Sequence, residues 1–515
     1  MSATGRVWLV GAGPGDPGLI TMAGVACLAG AEVVVYDRLV DRRLLDLAPP
    51  EAERISVGKA AASHSLAQEE INDLLVAKAR EGKTVVRLKG GDPYVFGRGG
   101  EEAEALVAAG IPFEVVPGVS SAVAVPAYAG IPVTHRRMAS SFAVVTGHED
   151  PTKGESSIDW EHLAKGVDTL VFLMGGANLG EIARRLVECG RTPDTPTAVV
   201  RWGTTPHQQT VSGTLADIAD RVAEAGLTPP VVTVVGEVVA LRDKLRWYDN
   251  RPLFGKRVLV TRARGQAGDL SQALAELGAE PVELPAIEIK PRVERGKLRE
   301  ALRRLDVAEY DWLVFTSANG VDVFFGHLCQ QGRDARALGR ARVCAIGPGT
   351  AATLRWNGIV VDLLPERFVA EGVVDALSKE AIMGKRVLWP RARGARRTLA
   401  LGLRRLGAQV DELPLYAAAV PKEANAEALE RLRAGEIDVV TFASSSAVRN
   451  LVRMLGGDVS VLERPLIACI GPVTARAARR LGLRVDVEAP EHTVEELVQA
   501  LRRRHQNKHL RLGKR

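Results

Sequence analysis

Short apolar runs that end in glycine and small polar residues are the most regular pattern along this chain. In the first half such runs begin at Val7, Val85 and Val115, and each opens into a loop with glycines or serines. A run of this kind predicts a buried strand, and a loop with few side chains lets backbone groups approach a ligand directly. Three such loops within one stretch predict a single cleft that binds a small molecule.

The loop after the second run has the strongest chemical character. Residues 85–102 read VVRLKGGDPYVFGRGGEE, with five glycines, one aspartate and three cations before an acidic helix start. The other two loops read VWLVGAGPGDPGLIT and VVPGVSSAVAVPAYAGIPVTHR. Because all three follow predicted strands, we expect them at one edge of a sheet.

The first loop resembles the start of a dinucleotide-binding fingerprint, but its chemistry argues against that ligand. The third glycine of the fingerprint would fall at Asp16. Pro14 and Pro17 would interrupt the helix start that must receive a pyrophosphate. We therefore do not expect a nicotinamide dinucleotide here.

The second half contains an internal repeat. The segment RVLVTRARG from Arg257 aligns with RVLWPRARG from Arg386, an offset of 386 minus 257, or 129 residues. Nearly the same offset relates TSANG to ASSSA and AIGPGTA to CIGPVTA. Each copy alternates β-branched runs with helical patterns rich in alanine, leucine and arginine, which predicts a duplicated α/β unit with parallel sheets. Helix N-termini at the sheet edges would then suit carboxylate ligands.

Size and composition indicate a multidomain globular protein. The chain has 515 residues, 46% of them apolar and 25% charged, which predicts about two to four domains. No apolar run approaches the roughly 20 residues that span a bilayer. The start MSATGRVWLV enters a strand without a charged leader, so we expect a cytoplasmic protein with no membrane partner.

Cysteines, histidines and net charge predict neither a metal site nor a nucleic-acid partner. The five cysteines are scattered without CxxC spacing, which disfavours both disulfides and zinc. The net charge is +6 and the tail RRRHQNKHLRLGKR is basic, but aromatic residues make up only 4% and no nucleic-acid motif is present. An acidic small-molecule substrate explains the excess charge.

Ten short motifs of the first half resemble the uroporphyrinogen-III C-methyltransferase family over about residues 5–247. They are, in order, GAGPGDP, YDRLV, VGK, SLAQEEIN, RLKGGDPYVFGRGGEE, VPGVSSA, AGIPVTHR, VTGH, FLMGG and WGTTPHQQ. The resemblance implies a two-lobed tetrapyrrole methylase fold that uses S-adenosylmethionine. The sulfonium of this donor is already an activated electrophile, so no metal is needed.

The same resemblance assigns a set of cofactor-binding residues. They are Pro14, Gly90, Gly91, Asp92, Val95, Ser120, Ser121, Met174 and Gly203. Asp92 would accept hydrogen bonds from the polar end of the cofactor, and Met174 would pack against the adenine. Met174 by itself would be interpreted as a core methionine, and Ser121 stands where relatives often carry alanine.

Methylation of a pyrrole carbon calls for a base and an acid near the macrocycle. The family resemblance gives these roles to Asp37 in YDRLV and Lys59 in VGK. On local sequence alone, Asp37 is also interpretable as a turn residue and Lys59 as a surface cation that binds a substrate carboxylate. Arg98 in FGRGG is expected to bind substrate, because a guanidinium matches carboxylate geometry.

The second half resembles the uroporphyrinogen-III synthase family over about residues 255–503. The motifs are VTR, TSANG, AIGPGTA, LPLY, SSSAV, IGPVTA and EHTVEEL. This resemblance implies two similar parallel-sheet α/β lobes joined by a two-strand connection. The expected organisation is a methyltransferase at 1–247, a linker at 248–256, lobe one at about 257–287 plus 417–505, lobe two at about 288–416, and a basic tail at 506–515.

The synthase substrate, hydroxymethylbilane, is a linear tetrapyrrole with eight carboxylates whose hydroxyl must leave before the ring closes. Tyr416 in LPLY matches the tyrosine to which the family gives proton donation, although an ordinary strand tyrosine is an equal alternative. Carboxylates would be bound by a set of loop residues and one arginine, namely Arg262, Ser317, Asn319, Gly347, Ser444, Ser445, Ser446 and Gly471. Further arginines that would steer the substrate are Arg391, Arg393, Arg396 and Arg397.

Together the two resemblances imply a bifunctional enzyme of tetrapyrrole biosynthesis. It would cyclise hydroxymethylbilane to uroporphyrinogen III with inversion of the D ring, then methylate C2 and C7 to give precorrin-2. An alternative keeps the methyltransferase and treats the second half as a non-catalytic tetrapyrrole-sensing module. The resemblance also implies a homodimer through the methyltransferase, and leaves open whether the product feeds sirohaem, cobalamin or haem.

Overall fold

Two bodies of similar size divide the chain, Met1–Gly255 and Lys256–Arg515. This computed structural model describes residues 4–58, 67–148, 157–262, 268–421 and 425–512, with side chains described as far as residue 506. Lys59 lies outside the described residues. No described helix is long and apolar enough to cross a membrane. No group of histidine, cysteine, aspartate or glutamate among the described side chains could hold a metal ion.

The first body begins with a five-stranded parallel sheet. Its strands are rich in valine, which suits a sheet covered on both faces. They are β1 (Arg6–Gly11), β2 (Val33–Tyr36), β3 (Glu53–Ser56), β4 (Thr84–Lys89) and β5 (Phe113–Val116). The spatial order is β3-β2-β4-β1-β5, so β1 lies between β4 and β5. The carboxyl ends of these three strands carry the three glycine loops, which therefore meet at one edge.

Four described helices accompany this sheet, and three of them follow the glycine loops of the site. The four are α1 (Met22–Ala29), α2 (Gln68–Arg80), α3 (Gly99–Ala108) and α4 (Ser121–Tyr128). Helix α1 follows the loop after β1, α3 follows the loop 90–98 and α4 follows the loop 117–120. Apolar clusters cover both faces of the sheet, one around Val34 and Leu88 and the other around Val35 and Leu75.

The second part of the first body is a mixed sheet. Its elements in chain order are β6 (Phe142–Thr146), α5 (Trp160–Gly166), β7 (Thr169–Leu173), α6 (Leu179–Glu188), β8 (Pro196–Arg201), β9 (Gln209–Thr214), α7 (Ile218–Glu224), β10 (Val231–Val235) and α8 (Arg242–Leu245). The strand order is β6-β7-β10-β8-β9, and only the β6–β7 pair is parallel. The loop after β7 carries Met174, and the loop after β8 carries Gly203.

The segment expected as a linker, 248–256, is packed against the first body through Gly255. Tyr248 is buried and its hydroxyl donates to the Thr204 carbonyl at 3.1 Å. Its ring lies 4.7 Å from that of Tyr128 and 5.4 Å from that of Phe254, measured between centroids. Leu253 is fully buried. Aromatic burial therefore makes residues 248–255 part of the first body, where charge and proline content had suggested a free connection.

The second body contains two five-stranded sheets. Its strands in chain order are β11 (Arg257–Val260), β12 (Glu280–Glu283), β13 (Glu288–Pro291), β14 (Trp312–Phe315), β15 (Arg342–Ala345), β16 (Arg386–Ala392), β17 (Gln409–Ala419), β18 (Val439–Phe442), β19 (Leu466–Cys469) and β20 (Val487–Glu488). One sheet has the order β12-β11-β18-β19-β20 and is parallel throughout. The other has the order β13-β17-β16-β14-β15 and is parallel except for β13.

Helices follow the strands in both lobes. They are α9 (Gly268–Glu276), α10 (Arg295–Asp306), α11 (Ala318–Gln330), α12 (Pro348–Trp356), α13 (Ala370–Ser378), α14 (Thr398–Arg405), α15 (Ala426–Arg433), α16 (Ser445–Met454), α17 (Pro472–Arg480) and α18 (Val494–Leu512). Helix α18 includes the first part of the basic tail expected at 506–515.

The chain passes between the two lobes on two paired strands. β13 runs antiparallel to the end of β17, with Glu288 opposite Ala419 and Pro291 opposite Tyr416. Tyr416 therefore lies where the chain of lobe two returns toward lobe one. The expected α/β fold class, with a methylase-like first half and two similar lobes after it, is confirmed.

Candidate active sites

The three glycine loops of the first body touch through their backbones. The Gly91 N–H donates to the Gly13 carbonyl at 2.7 Å, and the Ala12 N–H donates to the Lys89 carbonyl at 2.7 Å. A β-carbon at Gly118 would lie 2.2 Å from the Gly91 carbonyl oxygen, and one at Gly11 would lie 2.4 Å from the Gly118 Cα. Glycine is therefore required where these loops cross, and the predicted single edge is formed by backbone contact.

Asp92 connects two of these loops. Its Oδ2 accepts from the Gly118 N–H at 3.0 Å, and its Oδ1 accepts from the Tyr94 N–H at 2.8 Å. The sequence predicted that this carboxylate accepts hydrogen bonds from a cofactor. The structure adds a role in holding the loops 90–98 and 117–120 together, and each oxygen retains further acceptor capacity.

The predicted serines and Gly90 lie beside that junction. Ser120 caps α4, where its Oγ accepts from the Ala122 N–H at 3.2 Å. A β-carbon at Gly91 would be 3.8 Å from the Ser121 nitrogen, so Ser121 also lies at the crossing. A β-carbon at Gly90 would meet only Leu39, at 3.8 Å. The loop therefore leaves room for a ligand at Gly90.

Pro14 and Gly203 belong to two loops that pack together. The Asp16 N–H donates to the Thr204 Oγ1 at 3.1 Å, which joins the first loop to the loop after β8. A β-carbon at Gly203 would lie 2.4 Å from Val125 Cγ1. The close approach of α4 therefore explains the glycine, and both predicted residues lie on adjoining loops.

Two of the predicted residues, Arg98 and Met174, line a cavity of about 800 Å³. Its walls include Tyr94, Phe96, Arg98, His148 and Met174. Met174 is 51% exposed. Val95, which lies between Tyr94 and Phe96 in the sequence, is also partly exposed. Met174 is therefore available to a ligand and does not fill the core.

Strained backbone marks the loops of this first site. Among the described residues of the first body, five that are not glycine have positive φ, namely Phe96 (52°), Arg98 (58°), Met174 (59°), Trp202 (48°) and Thr204 (69°). Such conformations are costly for residues with a β-carbon and are concentrated at functional sites. The sequence carries no signal for them, because none of the five is glycine or asparagine.

Arg98 lies at the start of α3 and pairs with a neighbour. Its Nη2 lies 2.6 Å from Glu101 Oε2, and both side chains are about half exposed. The arginine is thus held at the mouth of the cavity by an exposed ion pair. Such a pair contributes little to stability, so exchange for a substrate carboxylate would cost little.

The predicted base, Asp37, belongs to a network of charges that sequence reasoning missed. Its Oδ1 accepts from Arg87 Nη2 at 2.5 Å. Glu102 Oε1 in turn accepts from Arg87 Nε at 3.1 Å and from Lys89 Nζ at 2.7 Å. The side chains of Arg87 and Lys89 are 2% and 3% exposed and that of Glu102 is fully buried, whereas the Asp37 side chain is 33% exposed.

This network is charge-balanced, with two cations and two carboxylates. Burial lowers the pKa of the Lys89 ammonium, and Arg87 lowers it further, while Glu102 and Asp37 act in the opposite direction. The Glu102 Oε2 atom has no hydrogen-bond partner among the described residues. Arg87 therefore holds Asp37 on its buried side, and the other side of the Asp37 carboxylate is accessible to solvent. The missed signal was the pair of cations at alternate positions of an apolar strand, since such residues are rarely buried unless paired.

In the second body, the structure brings Tyr416 and Ser317 together. Their hydroxyl oxygens are 2.7 Å apart, and Ser317 Oγ also accepts from the Gly320 N–H at 3.0 Å. Tyr416 is 5% exposed. Burial raises the pKa of this phenol, against a smaller opposing effect of Ser317. The phenol therefore keeps its proton at neutral pH and is available as a donor.

The equivalent serines of lobe one are engaged within α16 and with the start of α17. Ser444 caps α16, where its Oγ accepts from the Ala447 N–H at 3.1 Å. The Ser445 hydroxyl donates to the Val473 carbonyl at 3.3 Å, and Ser446 Oγ accepts from Arg449 Nη2 at 3.3 Å. Asn319 occupies the matching first turn of α11 in lobe two. The two serine loops thus lie at the carboxyl edge of different sheets.

Gly347 and Gly471 precede helices α12 and α17, and each faces a ring. A β-carbon at Gly347 would lie 3.3 Å from the Cβ and Cγ of Phe368, and one at Gly471 would lie 2.7 Å from His492 Nε2. Both glycines have extended backbone, with φ of −169° and 165°. Glycine is therefore required at these turns because of the nearby rings, and not because of an unusual backbone conformation.

The predicted arginines separate into two groups. Arg262 follows β11 at the carboxyl edge, and burial lowers the pKa of its guanidinium, opposed by Asp269 and Glu495. Arg391 lies 2.9 Å from Glu412, with both side chains nearly buried, so it stabilises lobe two and is not free to steer substrate. Arg393, Arg396 and Arg397 are exposed.

Comparison with known families accounts for both bodies. The tetrapyrrole (corrin/porphyrin) methylases match residues 6–219, and uroporphyrinogen-III synthase HemD matches residues 268–499. The porphyrin biosynthesis protein HemD of Ruminiclostridium josui is 40% identical over 497 residues, which cover 96% of this chain and 97% of that protein.

Relatives of the first body alone are also similar. The S-adenosyl-L-methionine-dependent uroporphyrinogen III methyltransferase of Methanosarcina barkeri is 58% identical over 241 residues, covering 47% of this chain and 94% of that protein. A crystal structure of uroporphyrin-III C-methyl transferase from Thermus thermophilus, complexed with S-adenyl homocysteine, has 46% sequence identity and a TM-score of 0.40. It covers 46% of this chain and 100% of that one.

Proposed function

Since the chain belongs to the tetrapyrrole methylase family through its first body and to the uroporphyrinogen-III synthase family through its second, we propose how its residues divide the two reactions. The protein is a bifunctional uroporphyrinogen-III synthase and S-adenosylmethionine-dependent uroporphyrinogen-III C-methyltransferase that makes precorrin-2. The synthase reaction uses hydroxymethylbilane and inverts the D ring, and methylation follows at C2 and C7.

The loops of the first body fit the methyl donor. Gly90 and Gly91 leave open space beside the crossing of three loops, and the half-exposed Met174 offers an apolar surface. S-adenosylmethionine supplies an electrophilic methyl group on its sulfonium. We assign its binding to Pro14, Gly90, Gly91, Asp92, Val95, Ser120, Ser121, Met174 and Gly203. Their task is to hold the donor in line with the carbon nucleophile and to exclude water.

Asp37 is the base that we assign to the macrocycle. Arg87 holds its Oδ1 from the buried side at 2.5 Å, so that the exposed part of the carboxylate faces outward. Removal of a pyrrole proton by the free oxygen would raise electron density on the ring carbon that attacks the methyl group. Lys59 is the proposed acid, and Arg98 at the cavity mouth is the proposed partner of a substrate carboxylate.

Tyr416 is the proton donor that we assign to the synthase. The contact with Ser317 carries this proposal, because a serine hydroxyl at 2.7 Å orients the phenol and can return its proton. Protonation of the departing hydroxyl of hydroxymethylbilane would let it leave as water. The substrate carboxylates would be bound by Arg262, Ser317, Asn319, Gly347, Ser444, Ser445, Ser446 and Gly471.

Two variants separate the activities. Asp37→Ala should abolish methylation of supplied uroporphyrinogen III and leave cyclisation of hydroxymethylbilane unchanged. Tyr416→Phe should slow cyclisation, by about 10² to 10⁴-fold for loss of a general acid, and leave methylation unchanged. Both are measured on the full chain by isomer analysis of the oxidised products and by transfer of labelled methyl groups. If Tyr416→Phe cyclises normally, the tyrosine is a structural residue of β17.

We further propose a homodimer formed through the methyltransferase. The proposal is supported by the family resemblance and by apolar side chains at the surface of the first body, such as Met22, which is 91% exposed. Light scattering of the full chain should then give twice the 55.2 kDa mass of one chain. A mass of one chain at micromolar concentration would contradict it.

A further inference from the structure

The two lobes of the second body are copies of one unit, yet they differ in polarity at two matched positions. In the aligned segments ELPAI and ELPLY, Ile287 stands where the other copy has Tyr416. Phe368 follows Gly347 by 21 residues, and His492 follows Gly471 by the same number (347 to 368 and 471 to 492). Lobe one therefore has Ile287 and His492 at these positions, and lobe two has Tyr416 and Phe368. Each lobe has one polar and one apolar residue of the four.

The second pair occupies the same place in both lobes. Phe368 and His492 each lie directly against the glycine that precedes a helix, α12 in one lobe and α17 in the other. Both glycines follow parallel strands, β15 and β19, so both rings lie at the carboxyl edge of their sheet. His492 is thus the only member of the pair that can donate a hydrogen bond or carry a charge at this edge.

No described residue around His492 uses its imidazole as a structural hydrogen-bonding group. Among the described residues, neither ring nitrogen of His492 has a hydrogen-bond partner, and the ring is half-buried. The charged groups that face it are Glu488 from β20 and Arg476 from α17. Burial, the largest effect, and Arg476 lower its pKa below the ordinary value of 6.5, while Glu488 acts in the opposite direction.

We propose that His492 binds a carboxylate of the linear tetrapyrrole, and that it and Tyr416 together fix which end of the substrate each lobe receives. This inference rests on the proposed synthase function of the second body. Two lobes of one architecture present similar backbone donors, so by themselves they do not distinguish the two ends of a linear substrate. A tyrosine restricted to one lobe and a histidine restricted to the other supply that distinction.

The charge of the imidazole gives this role a pH signature. His492 gains its proton only as the pH falls below about 6.5, because the pKa of its ring is lowered. The substrate carboxylates remain largely ionised to about pH 5. Substrate affinity should therefore strengthen as the pH falls from 8 to 5.5, and this pH dependence should disappear without His492.

Exchanging the matched residues tests the proposal. His492→Phe introduces the residue that the other lobe has at the matched position, Phe368, and keeps an aromatic ring there. It should raise the KM for hydroxymethylbilane about tenfold at pH 5.5, the size expected for a charge-assisted hydrogen bond. At pH 8, where the imidazole is neutral and can donate only an uncharged hydrogen bond, the difference in KM should be smaller. It should also raise the share of the uninverted type I isomer.

Phe368→His provides the second variant, because it places the same group in both lobes. It should raise the type I share by removing one of the two differences between them. His162→Phe is the matched control, since that side chain lies on α5 of the first body and is 87% exposed. The melting transition of the second body in calorimetry reports in all three that this body is folded. Equal KM values for His492→Phe and the unchanged protein across pH 5.5 to 8 would overturn the inference.

Failure of the inference is distinct from failure of the proposed function. If the unchanged protein forms type III isomer and His492→Phe does so with the same KM, only the role of His492 is wrong. If the unchanged protein forms no type III isomer, the synthase function itself is wrong, and with it the inference that depends on it.

Discussion

Replacing Glu102 by glutamine removes the buried anion that lies between Arg87 and Lys89. Glu102 Oε1 is 3.1 Å from Arg87 Nε and 2.7 Å from Lys89 Nζ, and its side chain is fully buried. Glutamine has nearly the same volume and keeps one acceptor oxygen. The substitution therefore changes the charge and creates no cavity, so its effect reports the electrostatic part of the network.

The expected loss of stability is large. Removing one member of a buried ion pair costs about 3 to 5 kcal/mol, because the remaining charge stays desolvated. For a body of this size, 1 kcal/mol corresponds to about 2 to 4 °C in the melting temperature. We therefore expect the first body of Glu102→Gln to melt roughly 6 to 20 °C lower at neutral pH.

The loss should depend on pH in a definite direction. Burial and Arg87 already lower the pKa of Lys89 in the folded protein, and Glu102 acts against them. Without Glu102 the folded-state pKa falls further, so between it and the unfolded value of about 10.5 the unfolded chain binds more protons. Stability then rises with pH through this window. The deficit of Glu102→Gln should thus be largest at neutral pH and shrink toward pH 10.

Calorimetry of the full chain measures this prediction, with the transition of the second body as an internal reference. Glu101→Gln is the matched control, because the Glu101 side chain is 51% exposed and pairs only at the surface with Arg98. Loss of such a pair costs about 0 to 1 kcal/mol. A melting temperature of Glu102→Gln equal to that of Glu101→Gln, or a deficit that grows with pH, would refute the reasoning about the buried charges.

Three further predictions follow from single contacts. Ser317→Ala should slow cyclisation and leave methylation unchanged, because it removes the hydroxyl that orients Tyr416; steady-state kinetics of both reactions measure this, and an unchanged rate of cyclisation would exclude that role. Gly203→Ala should raise the dissociation constant for S-adenosylmethionine in calorimetric titration, since its β-carbon would lie 2.4 Å from Val125 Cγ1; unchanged affinity would exclude a role for that loop. Tyr248→Phe should lower the melting temperature of the first body by about 1 to 6 °C, as expected for one hydrogen bond of about 0.5 to 1.5 kcal/mol, and no shift would mean that the aromatic packing alone holds the segment.

The strand and loop pattern was sufficient to predict where the first site is formed. Apolar runs ending in glycine place the loops after β1, β4 and β5 at one edge, because parallel neighbours end together. The internal repeat likewise predicted two lobes of one architecture, since the offset of 129 residues relates strand to strand. What the pattern did not contain was the reason for these glycines. It is close contact between backbones at Gly11 and Gly118, and a positive φ of 69° at Gly91.

The network behind Asp37 was not predicted, because charge in a strand is usually read as a solvated face. Arg87 and Lys89 alternate with Leu88 in β4, and only the fold reveals that both polar side chains point to the covered face with Glu102. Pairing of this kind depends on a helix that begins ten residues after β4 ends (89 to 99), and local sequence does not specify it.

The segment 248–255 is packed more closely than its composition indicated. Charged residues and a proline suggested a linker between the two halves, and Tyr248, Leu253 and Phe254 supply enough apolar surface for it to pack against the first body. Composition averaged over a window of the sequence does not reveal single residues that are buried in this way. The spacing of the aromatic residues was the signal that would have identified the segment as part of the first body.

The bifunctional assignment is tested most directly by giving the purified full chain hydroxymethylbilane alone, and then hydroxymethylbilane with S-adenosylmethionine. The first reaction should yield uroporphyrinogen of the type III isomer, and the second a product carrying two added methyl groups in its mass spectrum. Type I isomer alone in the first reaction, or an unmethylated product in the second, would contradict the account.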